Sequence, residues 1–174
     1  MSKALLISFF VSMIPLIELR GAIPVGVGLF AAQGIELSPA MLVVLFGACM
    51  VGNMIPVPFI FLFARKFLDW GQNKKLIGAI CRFCLEKGHR GGEALQKKAG
   101  RGLYFALFLF VGIPLPGTGA WTGTLAASLL DMDGKKTVIA VLAGVLLAGV
   151  IMMTAALLVK AGVVGVTDAA VSMQ

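Results

Sequence analysis

Apolar positions fill four stretches of the chain, 4–32, 39–64, 103–130 and 137–159, and the polar interruptions between them recur in order. The first and third stretches are broken near their centres by proline and glycine, whereas the second and fourth run through. A stretch such as 4–32 is too long for one simple span. Once broken, each half has about 12 residues, or roughly 18 Å of helix, which reaches only partway across hydrocarbon. The pattern therefore predicts a re-entrant hairpin of two half-helices followed by a full transmembrane helix, made twice. Polar turns close each hairpin at 33–38 and 131–136, with Ser38 placed to cap the helix that Pro39 begins.

Between Arg65 and Arg101 the character changes. Ten Lys or Arg stand there against three Asp or Glu, so this segment carries the whole formal charge of +7. The positive-inside rule puts it in the cytoplasm. Leu76, Ile77, Ile80, Phe83 and Cys84 recur at helical spacing within it, which predicts an amphipathic helix on the inner leaflet, where it meets anionic headgroups. The chain so divides into a first repeat at 1–64, a basic linker at 65–101, a second repeat at 102–160 and a tail at 161–174.

Composition fixes the class. The 174 residues are 59% hydrophobic and 13% charged, far more apolar than a soluble domain, so the fold class is an all-α integral membrane protein. Lys3 and the apolar run after it resemble a signal peptide, but Pro15, Glu18 and Arg20 stand where a small-residue cleavage site belongs, and the segment reads as part of the mature protein. No aromatic platform or recognition helix accompanies the basic segment, which argues against nucleic acid. Cys81 and Cys84 form a Cys-x-x-Cys, yet His89 is the only histidine, too few ligands for a metal. No nucleophile–base pair or phosphate loop is visible, so neither an enzyme nor a cofactor is expected.

The candidate chemistry lies in the two breaks. The first, Ile14-Pro-Leu-Ile-Glu-Leu-Arg-Gly-Ala-Ile-Pro24, sets Glu18 and Arg20 among apolar residues, with Pro15, Gly21 and Pro24 shaping the turn. Charge within a bilayer costs several kcal/mol unless paired or wetted, which marks both residues as functional suspects. The second, Gly112-Ile-Pro-Leu-Pro-Gly-Thr-Gly-Ala-Trp121, repeats the prolines and the Gly-Ala pair with no charge; Pro114, Pro116, Gly117 and Gly119 form its turn, and Thr118, Trp121 and Thr122 are its polar groups. Asn53, one turn before Pro56 and Pro58 in the second stretch, is either a ligand or an interhelical hydrogen-bonding residue.

Paired broken segments at corresponding positions point to a transporter binding site. If both are re-entrant the repeats are inverted; if both span, the repeats are parallel. Lys135 and Lys136 favour inversion and Lys3 and Lys160 the parallel arrangement, while half-helix length favours inversion.

The two motifs, 15–24 and 114–123, resemble the paired motifs of the small multidrug export protein family, and the resemblance runs from about Leu5 to Val159. More distantly the chain is similar to the DedA and SNARE-associated membrane proteins. That resemblance implies hairpins facing each other from opposite leaflets, movement of polyprenyl-phosphate or other lipids, and an acidic hairpin residue falling on Glu18. The second hairpin departs from the DedA pattern, which has arginines where this chain has none.

These observations carry three readings. In the first, a transporter or flippase moves an anionic, lipid-phosphate-like amphiphile held by half-helix N–H groups and Arg20, with Glu18 taking up and releasing a proton. In the second, an exporter of lipophilic cations uses Glu18 as counter-ion and Trp121 as wall. In the third, a non-transporting scaffold recruits anionic partners through its basic loop. Against all three stands a structural reading in which Glu18 and Arg20 only fix the hairpin. A bundle this small would enclose little cavity, so a homodimer is expected, multi-pass in a prokaryotic cytoplasmic membrane.

Overall fold

The computed structural model describes residues 2–15, 17–74, 82, 102–115 and 117–172, which form seven α-helices. They are α1 (Ser2–Ser12), α2 (Glu18–Ala32), α3 (Pro39–Met54), α4 (Pro56–Gly71), α5 (Gly102–Gly112), α6 (Ala120–Leu129) and α7 (Gly134–Ser172). The amphipathic helix expected at 76–85 and the Cys81–Cys84 pair lie outside the described residues, Arg82 apart.

Two segments, Pro39–Ala64 and Gly134–Ala161, are long and apolar enough to cross a membrane. The first is interrupted at Ile55, where Pro56 follows and supplies no N–H to continue the ladder. Its start follows the expected chemistry: Ser38 Oγ accepts a hydrogen bond from the Met41 N–H at 3.3 Å, with Pro39 at the first helical position.

Both breaks appear, but the first is shorter than the motif suggests. α2 begins at Glu18, so Arg20, Gly21 and Pro24 are helical, and the described residues outside the helices in this break are Met13, Ile14, Pro15 and Ile17. Pro24 is tolerated because its ring faces an open space beside α7, and a helix among other helices survives the loss of one backbone bond. In the second break Ile113, Pro114, Leu115, Gly117, Thr118 and Gly119 are not helical, with Gly117 and Gly119 at φ of 81° and 153°.

Packing repeats in the two halves. α1 lies on α3 and α5 lies on α7, and each crossing is made close by a glycine. A Cβ on Gly52 would strike the Phe9 carbonyl and Ser12; one on Gly144 would strike the Phe108 carbonyl and Val111. The second half-helix of each hairpin then packs on the other half of the chain, α2 on α7 and α6 on α4. Each hairpin also brings its ends together: Leu5 and Phe30 wall one small cavity, and the Asp133 N–H donates to Tyr104 Oη at 3.2 Å. Leu19, Ile23, Phe30, Leu45, Val57, Val111, Val141 and Val145 are fully buried between these layers.

Candidate functional site

The two broken segments meet, and the charged residues of the first reach into the second. Glu18 is buried, and its carboxylate accepts the backbone N–H of Ala120 through Oε2 and of Trp121 through Oε1, both at 3.0 Å. Those N–H groups open α6, where a helix has no internal acceptors and the dipole favours negative charge. Gly119 makes the approach possible. Its φ of 153° and ψ of −174° are open to glycine almost alone, and a Cβ there would sit against both carboxylate oxygens. Glu18 itself holds a left-handed φ of 50°, a conformation of order 1–3 kcal/mol above the usual one that persists where the surroundings fix it.

Arg20 does the converse at the end of α5. One terminal nitrogen donates to the Leu115 carbonyl at 2.6 Å and to Thr118 Oγ1 at 2.9 Å, and the other to the carbonyls of Val111 at 3.0 Å and Ile113 at 3.2 Å. A helix C-terminus leaves carbonyls without donors, and the planar guanidinium meets several of them at once. Thr118 ties the same turn, its hydroxyl lying 3.0 Å from the Ile113 carbonyl and 2.9 Å from that of Leu115. Carboxylate and guanidinium therefore each neutralise one end of a broken helix, reaching across to the second hairpin instead of to one another.

Above this junction is a half-open cavity of about 220 Å³, lined by Glu18, Arg20, Pro114, Leu115, Gly117, Thr118, Thr122 and Met152. It gathers Glu18, Arg20, Thr118 and Thr122 of the polar candidates, and Pro114 and Gly117 of the second turn. Trp121 contributes its backbone N–H, while its indole Nε1 is buried without a partner. Gly21 is packed on Ile17, Pro15 is exposed in the first break, and Pro116 lies outside the described residues. Asn53 is buried in α3 with Oδ1 unpartnered and does not line the cavity. Sequence reasoning missed the backbone partners of Glu18 and Arg20, which carry no side-chain signal, and Met152, one apolar residue among many in a long span.

A second cavity of about 460 Å³ lies between α2 and α7, walled by Pro24, Val27, Gly28, Ala31, Met152, Ala155, Ala156, Val159 and Lys160. Met152 belongs to both.

No curated protein and no solved structure matches the chain. Residues 18–151 match the family described as "Putative small multi-drug export protein", from Glu18 of the first junction residue pair to the middle of α7. That is an export family and not an enzyme class, in keeping with the two helices able to cross a membrane. With more than half its length matched, the chain belongs to the small multi-drug export protein family.

Proposed function

We propose that the protein is a membrane transporter for lipophilic cations, with the Glu18 cavity as its substrate site and two re-entrant hairpins, inverted relative to each other, as its frame. The observation that carries this reading is the engagement of the groups an anion would need. Ala120 and Trp121 give their N–H groups to Glu18, and both terminal nitrogens of Arg20 are taken by four oxygens of the second hairpin. A phosphate would have to displace these bonds. Glu18 keeps acceptor capacity, because a carboxylate offers roughly four lone-pair sites and two are used. A cation with an apolar body therefore finds a counter-ion in the cavity, with Thr118, Thr122 and Met152 around it.

Three contacts support the inverted frame. Ala31 and Lys160 share a cavity wall, which sets the end of α2 and the end of the second span on one side. Ser128 Oγ donates to the Phe61 carbonyl at 2.9 Å, and Gly134 lies beside the Phe61 ring, which sets the second hairpin's closing turn beside the end of the first span. Parallel spanning repeats would separate both pairs by the thickness of the membrane. The basic segment 65–101 then faces the cytoplasm together with Lys135 and Lys136.

The test is transport of tetraphenylphosphonium by proteoliposomes. Glu18→Gln should lose transport while remaining folded, and Arg20→Lys should retain it at reduced thermal stability. Normal transport by Glu18→Gln would return Glu18 to a purely structural role.

A further inference from the structure

The lining of the apolar cavity between α2 and α7 has a direction. On α2 the residues Arg20, Pro24, Val27, Gly28 and Ala31 follow one another at helical spacing along a single face. On α7 the sequence is Met152, Ala155, Ala156, Val159 and Lys160. The groove thus leaves the Glu18 cavity at Met152 and runs beside α7 for eight residues, or roughly 12 Å, to Lys160. Small residues on both helices keep it open. Its wall is apolar until that lysine, the one charged residue lining it among the described residues.

Resting on the reading of Glu18 as counter-ion, we propose that this groove holds the apolar tail of the same substrate, and that Lys160 at its far end selects amphiphiles with one cationic head against those with a cation at both ends. The occupant follows from the two ends. The path opens on the Glu18 carboxylate beside Arg20, whose terminal nitrogens are already held by the second hairpin, and an ammonium closes it, so a molecule that fills the whole path places its positive group at Glu18 and carries a neutral or anionic end at Lys160. A second cation there meets like charge at the edge of an apolar wall, where screening by water is weak. Tail length is set by the run from Met152 to Lys160, and a chain of about ten carbons suits its roughly 12 Å.

Gly28 offers a way to close the groove without disturbing the fold, since a Cβ built there meets nothing within 4 Å, and leucine is a better helix former than glycine. The experiment measures saturable binding to the full chain in phosphatidylcholine nanodiscs for butyltrimethylammonium, decyltrimethylammonium and the bis-quaternary decamethonium. Longer chains also concentrate in the lipid, so each ratio of affinities is compared between wild type and variant in the same discs. Gly28→Leu should lower the decyl-to-butyl ratio by about ten-fold. Lys160→Glu should raise decamethonium relative to decyltrimethylammonium by a similar factor. An unchanged decyl-to-butyl ratio in Gly28→Leu would mean that the groove holds annular lipid only, and would overturn the tail site. An unchanged decamethonium ratio in Lys160→Glu would overturn the selection by Lys160. Failure of the underlying reading looks different: Glu18→Gln would then bind butyltrimethylammonium as wild type does, whatever the two ratios show.

Discussion

The two hairpins share a plan and differ in where their charge lies. The first carries Glu18 and Arg20; the second, 112–123, has no charged side chain and answers with helix ends, the N-terminus of α6 for the carboxylate and the C-terminus of α5 for the guanidinium. Charge on one repeat has been matched by dipole on the other. This explains how a buried carboxylate and a half-buried guanidinium can be held in an apolar bundle without pairing to each other, because each terminus contributes about half an elementary charge of opposite sign. It also explains why the second hairpin needs Gly119 where the first has Gly21 packed on its own chain: only the second must let a side chain approach its backbone.

The comparison can be broken most completely at the level of orientation. In a cysteine-free background, single cysteines at Glu36 and Lys135, both exposed, should label from opposite sides of the membrane. Labelling from one side would remove the proposed inverted relation of the two hairpins. Next in size is Gly119→Ala, which adds a Cβ against the Glu18 carboxylate at a backbone conformation that alanine resists; thermal unfolding in detergent should show a loss of about 3 kcal/mol. Gly117→Ala, also at positive φ but with open space around it, should cost only about 1 kcal/mol, so the difference isolates the contact with Glu18. Arg20→Lys keeps the charge and loses the fork that meets four oxygens, and a fall of about 2 kcal/mol is expected. The smallest effect is at the first repeat's closing turn, where Ser38→Ala removes the cap of α3 and should cost about 1 kcal/mol, a control far from both junctions.

Much of this was legible in the chain. Hydrocarbon demands near-continuous apolar runs, so the four stretches and both breaks stood out, and Ser38–Pro39 announced a helix start that the structure has. The register of the first break was not. Pro24 reads as a helix breaker, yet α2 runs through it from Glu18, because the open groove accommodates its ring. Glu18, Arg20 and Thr118 stood out as candidates, since charge and hydroxyls are conspicuous in such a setting. Their partners did not, because main-chain N–H and C=O groups are present at every residue and only the fold decides which are left unpaired. Trp121 is conspicuous in the sequence for its ring, while the contact it makes at the junction is through its backbone N–H, which donates to Glu18.

On the proposed function, the junction holds a cation at Glu18 because its anion-binding groups are already engaged. Calorimetric titration of the protein in phosphatidylcholine nanodiscs with tetraphenylphosphonium and with tetraphenylborate, ions of nearly the same shape and opposite charge, tests it directly. The account predicts saturable binding of the phosphonium that Glu18→Gln weakens by about ten-fold or more, against nonsaturable partitioning of the borate. Saturable borate binding that depends on Arg20, with the phosphonium indifferent to Glu18, would contradict it.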